Sequence, residues 1–184
     1  MSETVNDVSK GAIDPAALFT FSYGLYIVGT AWEGRLNAQV ADAVMQLTAQ
    51  PVCVAVSINK ANYTTELLEK SKKFSVCVFG SDVPMPFIGN FGFHTGRDYD
   101  KFAKCSYRVS DMGLPIVTEY SLAAVEAEVI EIVDIYTHKL FIGEARTARI
   151  LAQGIPLTYA DYHNLKKGKS PAGAPSSVFN ELPK

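Results

Sequence analysis

The sequence predicts a mainly β protein, folded as a closed or split barrel of Greek-key type with a few short helices. Candidate strands clearly outnumber candidate helices, and the strong turns between them favour antiparallel pairing. One long strand, 121–134, also changes phase: its apolar positions alternate with glutamates from Val125 to Val129 and then shift to Ile130 and Ile132. A shift of one residue is typical of a β-bulge or a barrel corner.

Composition limits the class of protein. The 184 residues are enough for one domain, and 48% hydrophobic with 20% charged residues is ordinary for a folded chain. A net charge of −2 argues against nucleic acid as a partner. The apolar runs are far shorter than the ~20 residues of a membrane span, and no signal sequence opens the chain. Cys53, Cys77 and Cys105 are odd in number and lie among apolar neighbours, so we expect reduced thiols and a cytoplasmic protein.

The first elements are a short helix and a hairpin. Residues 1–14 are polar and aperiodic, so we expect a frayed or disordered N-terminus, followed by a helical turn over 15–19. Residues 23–31 are rich in β-branched and aromatic side chains, which indicates a strand. A Glu-Gly turn at 33–34 then leads into 35–48, where polar residues interrupt an apolar pattern that fits either a second strand or a strand followed by a turn.

The stretch 51–66 carries the clearest functional signal. An apolar strand from Val52 to Ile58 ends in a donor-rich turn, and Thr64 is a candidate N-cap for a helix over 65–72. A strand end next to a helix N-terminus is a natural anion site, because free N–H groups and the helix dipole favour negative charge. An ordinary capped turn is the alternative. The candidate donors are Ser57, Asn59, Lys60, Asn62, Tyr63 and Thr64.

The second half continues the β pattern. A buried strand over 74–79 precedes a loop with a short helical piece near 86–91, and a further short helix is expected to start at 100–102. After the long strand, a turn at 136–138 leads into a last strand over 139–151. No internal repeat is visible.

The domain is expected to span 15–165 and to be followed by an extended tail over 166–184. The tail gains Pro, Gly, Ser and Lys, as a linker does. Before it, Tyr159 and Tyr162 lie in an aromatic segment that needs something to pack on. Spacing alone leaves two partners open, a second subunit or the chain's own barrel.

Familiar catalytic patterns are missing from the sequence. There is no GxGxxG, P-loop, GxSxG, CxxC or HExxH motif, and His94, His138 and His163 are too widely separated to indicate a metal site. An enzyme of this composition would take its chemistry from a cofactor.

Seven short motifs follow one another along the chain. They are GLYIVGTA, Asn37 with VMQLT, PVCVAVSINKANYTTEL, FSVCVF, FGFHTGRDYDKF, THKLFIGEA and PLTYADY. In this order they resemble the flavin reductase-like family of FMN-binding split barrels, and within it the flavin reductase module of high-molecular-weight rubredoxin and flavoredoxin. The resemblance covers about 19–175.

The resemblance implies a six-stranded Greek-key barrel, a homodimer, and FMN bound near the subunit interface. Asn37 and Gln46 would lie beside the isoalloxazine ring, and Tyr159 or Tyr162 could reach across from the other subunit. No side chain is required as acid or base, because hydride goes to flavin N5, although His138 is a possible catalytic group. The matched phosphate, ribityl and ring ligands are Ser57, Asn59, Lys60, Thr64, Lys101 and His138, with Arg97 as a further candidate.

The implied activity is an NAD(P)H-dependent flavin reductase that passes electrons from NADH or NADPH through FMN to free flavin or a protein acceptor. Two alternatives stay open: an FMN electron-transfer protein without efficient NAD(P)H turnover, and a flavin-binding protein without turnover. Asp42 departs from the family pattern, and it would oppose an anionic reduced ring if it faced the flavin rather than solvent. No rubredoxin-like CxxC pair follows the tail, so a rubredoxin or flavodiiron partner is expected as a separate chain.

Overall fold

The computed structural model describes residues 13–171 and 173–176, and these residues form an antiparallel β-sheet with a few short helices. The strands are β1 (Tyr26–Trp32), β2 (Arg35–Ala41), β3 (Val44–Ala49), β4 (Val52–Asn59), β5 (Lys73–Phe79), β6 (Tyr107–Val109), β7 (Pro115–Val117), β8 (Ser121–Ile135) and β9 (His138–Ile150). The helices are α1 (Pro15–Phe19), α2 (Tyr63–Ser71), α3 (Met85–Gly92) and α4 (Tyr159–Asn164). The predicted mainly β class is confirmed.

Seven strands make up the main sheet, in the order β2-β1-β5-β8-β9-β4-β3, and β6 pairs with β7 separately. The chain therefore crosses over between β4 and β5, as Greek-key folds do. The resemblance implied six strands, and the difference lies in 35–48, where the structure has a strand and a turn, one of the two alternatives, followed by a further strand. The Val44 amide donates to the Asp42 carbonyl (2.9 Å), and this tight bend separates β2, which pairs with β1, from β3, which pairs with β4.

Two hairpins follow the predicted turns. Glu33 (φ 48°) and Gly34 (φ 76°) both adopt the left-handed conformation that two-residue hairpins require, and they join β1 to β2. β8 and β9 form the longest pair in the sheet, with register shifts between Glu126 and Ala127 and after Val129. The second shift lies at the predicted phase change, whereas the shift between Glu126 and Ala127 was not predicted.

Two apolar clusters fill the interior. One packs β1 and β5 against α3, and its aromatic members include Phe79 and Phe91. The other surrounds Phe74 and Phe141 between β5, β4 and β9. A Cβ on Gly143 would lie 2.6 Å from the Phe74 ring, so β9 passes this ring only because residue 143 has no side chain. The described cysteines are free thiols, as predicted.

The helix predictions are partly right. Helices occur at the expected places after β4 and near 86–91, but α2 begins at Tyr63 with Asn62 as N-cap, so the assignment of Thr64 as N-cap is wrong. The expected helix start at 100–102 is also wrong. There the Phe102 amide donates to the Asp100 carboxylate (2.9 Å), and such a local side-chain bond favours a turn over a helix. Among the described residues, no helix is both long and apolar enough to span a bilayer.

Candidate functional site

A cavity of about 320 Å³ lies where β2, the end of β4, the start of α2, α3 and the segment 169–176 meet. Its wall brings together side chains that are far apart in the sequence. Among the residues singled out from the sequence, those that line it are Asn37, Asp42, Ser57, Asn59, Asn62, Tyr63, Thr64, His94, Lys101, Tyr159 and Tyr162.

A buried hydrogen bond ties β2 to the first turn of α2. Asn37 Nδ2 donates to Thr64 Oγ1 over 2.8 Å, and both side chains are buried. Because Thr64 accepts this bond, its own hydroxyl proton can be donated to a ligand. Asn37 Oδ1 is buried and has no hydrogen-bond partner among the described residues. Gly96 lies so close that an added Cβ would stand 2.0 Å from this oxygen.

The N-terminus of α2 is open towards the cavity. Asn62 makes no side-chain capping bond, because its amide donates instead to Gln39 Oε1 over 3.1 Å. The first amides of an α-helix have no partner within the helix, and the helix dipole adds positive potential at this end. The start of α2 beside Tyr63 and Thr64 is therefore suited to an anion, as the sequence indicated.

Lys101 adds a buried cation to the same end of the cavity. Its Nζ donates to the Ala38 carbonyl (2.8 Å) and the Phe91 carbonyl (3.1 Å). Burial lowers the pKa of Lys101 to about 8. Two backbone bonds leave one further ammonium proton for a ligand, and an anion there would favour the charged amine.

The opposite end of the cavity is acidic and is covered by the C-terminal segment. Asp42 is buried, and Ser176 Oγ donates to its carboxylate. The Ser176 and Tyr159 hydroxyl oxygens are 2.6 Å apart, and Asn59 Nδ2 donates to the Gly173 carbonyl over 3.0 Å. Of the two orientations left open for Asp42, the structure has the one that faces the cavity.

Other predicted site residues lie outside this lining. Gln46 is exposed on β3, where its Nε2 donates to the Thr48 carbonyl over 3.1 Å, and Lys60 forms an ion pair with Asp134. His138 Nδ1 is hydrogen-bonded to Thr137 Oγ1 (2.8 Å). Burial lowers the pKa of His138.

Arg97 lines a second cavity of about 350 Å³ that adjoins the first and shares Asn37, Tyr63, Gly96 and Lys101 with it. The Arg97 guanidinium lies over the Tyr63 ring, 4.6 Å from its centroid, and its Nη2 is 2.8 Å from a Glu66 carboxylate oxygen. Arg97 is therefore held beside the anion-binding end rather than in the main cavity.

Sequence reasoning missed the contribution of the C-terminal segment. Ser170, Gly173 and Ser176 line the cavity, although the composition of this region is typical of a linker. Small polar residues without periodicity give no signal of burial, and their partners are more than a hundred residues away for Gly173 and Ser176. No group of three or more His, Cys, Asp or Glu side chains within the described ranges is placed to hold a metal ion.

Comparison with known proteins identifies a family for most of the chain. Residues 18–166 match the model of the flavin reductase like domain. Over 164 residues the chain is 44% identical to the high molecular weight rubredoxin of Moorella thermoacetica, covering 89% of this chain and 72% of that protein. It is also 44% identical over 162 residues to the ferric-chelate reductase (NAD(P)H) of Archaeoglobus fulgidus, covering 88% and 96%. The crystal structure of the FMN-binding protein from Thermus thermophilus with bound p-hydroxybenzaldehyde superposes with a TM-score of 0.67 at 26% identity, covering 76% and 78%.

The buried Lys101 gives the ligand-free protein a distinctive pH dependence. Its pKa is about 8 in the folded state and near 10.5 in an unfolded chain. Between these values the unfolded state binds more protons, so the free energy of unfolding rises with pH. Relative to Lys101→Met, the wild type should gain about 2 kcal/mol from pH 8 to pH 9.5, measured by urea unfolding.

Lys104→Met is the matched control, because Lys104 is exposed in the neighbouring turn. Its stability should run parallel to that of the wild type over this range. If the free energy of unfolding of Lys101→Met also ran parallel to that of the wild type, Lys101 would not titrate in a buried position.

Proposed function

The chain belongs to the flavin reductase-like domain family, and on this premise we propose that it binds FMN in the cavity lined by Asn37, Asp42 and Thr64 and passes electrons from NADH or NADPH to free flavin or a protein acceptor. The observation that carries the proposal is the convergence of Asn37, Thr64, Lys101 and the open start of α2 on one end of that cavity. These groups can bind the anionic end of a ligand that also has a planar polar end.

The donor set fits the phosphate of FMN. A phosphate offers three strong acceptor oxygens, and the Thr64 hydroxyl, the first amides of α2 and the Lys101 ammonium are donors on one wall. The buried Asn37 Oδ1, which lacks a partner among the described residues, is an acceptor still to be satisfied, and a ligand N–H or hydroxyl would satisfy it.

The protein's own residues position and enclose the cofactor. When bound, FMN supplies the centre that accepts hydride from the nicotinamide. Ser57 and Asn59 line the same cavity, where they can bind the ribityl hydroxyls. Residues 169–171 and 173–176 also line it, and we propose that they limit the access of water to the cofactor. Gln46, Lys60 and His138, which lie outside the lining, are assigned to neighbouring contacts rather than to the cavity wall.

We propose a homodimer, because apolar side chains are exposed on the edge strand β3 and near it. Met45 is 57% and Leu47 42% exposed on β3, and Val52 and Ile130 are also exposed. A second copy would bury them. Light scattering should give about twice the 20.0 kDa chain mass, and a monomer that keeps its flavin would contradict the proposal. The free thiols fit the cytoplasm, where we place the protein.

A protein acceptor is favoured by one comparison. A relative with 44% identity is named a high molecular weight rubredoxin. We therefore propose a rubredoxin as acceptor. The second candidate function, electron transfer without efficient NAD(P)H turnover, rests on the same relative.

FMN should bind more tightly than riboflavin, because only FMN carries the phosphate. Thr64→Ala should weaken FMN by about 1 to 3 kcal/mol, the scale of a charge-assisted hydrogen bond, and leave riboflavin nearly unchanged in calorimetric titrations. Thr64→Ser keeps the hydroxyl and should keep the affinity, and the exposed Thr20→Ala is a control for the substitution itself. Equal wild-type affinities for FMN and riboflavin would show that this wall of the cavity does not bind the phosphate.

Reduction of the bound flavin tests the activity directly. The FMN-loaded protein is mixed anaerobically with NADH or with NADPH in a stopped-flow instrument, and flavin absorbance is followed. Rapid bleaching by at least one nucleotide is expected. Bleaching by reduced rubredoxin alone would support the second candidate function, and no bleaching by any of the three would contradict both.

A further inference from the structure

A row of hydrogen-bonded side chains connects the acidic end of the cavity with the outer part of α4. It begins at Asp42, which lines the cavity, and ends at His163, which is half-buried. The members, in spatial order, are Asp42, Ser176, Tyr159, Ser170 and His163. Sequence order gives no indication of this row, because β2, α4 and the C-terminal segment contribute to it.

Each neighbouring pair in the row is within hydrogen-bond distance. Ser176 Oγ donates to the Asp42 carboxylate and lies 2.6 Å from the Tyr159 hydroxyl oxygen. The Tyr159 hydroxyl is hydrogen-bonded to Ser170 Oγ, which lies 3.4 Å from His163 Nε2. The row is therefore continuous without bridging water.

The inner part of the row is shielded from solvent. Asp42, Tyr159, Ser170 and Ser176 are all buried, with exposures of 4 to 9%. His163 alone is partly accessible, and its ring packs edge-on against the Tyr159 ring at 4.5 Å between centroids. A proton that enters at His163 and stays within the row would reach the cavity without crossing bulk water.

The chemistry of the members suits proton movement. Each hydroxyl carries one proton and can accept another bond. Ser176 has two partners, Asp42 and Tyr159, for its single proton, so rotation of this hydroxyl switches it between them. Imidazole and carboxylate groups at the two ends can both take up and release a proton.

We propose that these five residues form a proton relay that serves flavin reduction; this rests on the function proposed above. The reaction FMN + NAD(P)H + H⁺ → FMNH₂ + NAD(P)⁺ takes two electrons and one proton from the nucleotide as hydride, and its second proton comes from water. Along the relay, the His163 N–H bond breaks as a Ser170 O–H bond forms, and the same exchange repeats through Tyr159 and Ser176 to Asp42. Asp42 then gives up its proton in the cavity, and His163 takes another from water, so the relay ends unchanged.

Proton uptake during reduction tests the relay. The loaded protein is mixed anaerobically with the nucleotide in weak buffer with a pH-indicator dye, and dye and flavin absorbance are recorded together. In the wild type, uptake should keep pace with bleaching. In Tyr159→Phe it should be about 100-fold slower, the lower range for positioned proton transfer. His163→Ala should show the same delay, and added imidazole should restore uptake in it.

Matched variants separate the relay from packing. Ser176→Ala breaks the same connection without altering the core, so it remains informative if Tyr159→Phe folds poorly. Tyr120→Phe makes the same chemical change outside the cavity and the row, and it should behave as wild type. FMN affinity is measured for every variant by calorimetry. Uptake that keeps pace with bleaching in Tyr159→Phe and Ser176→Ala, with FMN bound, would overturn the relay.

Two further experiments test the relay without relying on reduction of the flavin by a nucleotide. If neither NADH nor NADPH reduces the flavin, the proposed function fails, but a flash-generated reductant can still reduce bound FMN and the uptake comparison stands. In the flavin-free protein, the Tyr159 hydroxyl proton should give a low-field NMR resonance that Tyr159→Phe removes and Ser176→Ala shifts. An unchanged resonance in Ser176→Ala would show that the two hydroxyls are not bonded and would also overturn the relay.

Discussion

The pairing of β8 with β9 is the interaction on which the rest of the sheet depends. These two long strands occupy the centre of the strand order, with β5, β1 and β2 on one side and β4 and β3 on the other. The β2 residues that line the cavity and those at the end of β4 are connected within the sheet through this hairpin, and also by the bend that joins β2 to β3. Gly143 has a particular part in it, since a side chain there would collide with the buried Phe74 ring.

The cavity has two electrically different ends, and under the proposed function this asymmetry would set the orientation of a bound flavin. Lys101 and the uncapped start of α2 make one end positive, whereas Asp42 makes the other negative. A phosphate is attracted to the first and repelled by the second. Under the proposed function, the ring system of FMN would thereby be directed towards Asp42 and Tyr159. Orientation thus follows from a few charges rather than from a close fit around the whole molecule.

Most of the fold could be predicted because each strand carries its own local signal, either alternation or a run of β-branched residues. The bend that divides 35–48 could not, since it depends on which neighbour each half pairs with. Site predictions follow the same division. Asn37 and Lys101 line the cavity, while Gln46 and Lys60, which occur in matching motifs, do not line it and instead contact Thr48 and Asp134.

The contribution of the C-terminal segment could not be read from the sequence for a different reason. Ser170 and Ser176 are short polar residues in a Pro- and Gly-rich stretch, and nothing in such a stretch distinguishes a buried serine from a solvated one. Only the folded barrel supplies Asp42 and Tyr159 as their partners. Long-range polar contacts of this kind are set by tertiary structure and leave no periodic trace.

The missing side-chain cap at Asn62 has a consequence for the lifetime of the chain. Leaving the start of α2 uncapped costs about 1 kcal/mol of stability, which an anion bound there can restore. A ligand that binds only the folded state raises stability further as its concentration exceeds its dissociation constant. If the chain binds FMN as proposed, newly synthesised chains without the cofactor are expected to open most often and to be cleaved most readily by proteases. Cofactor supply would then set the amount of protein as well as its activity.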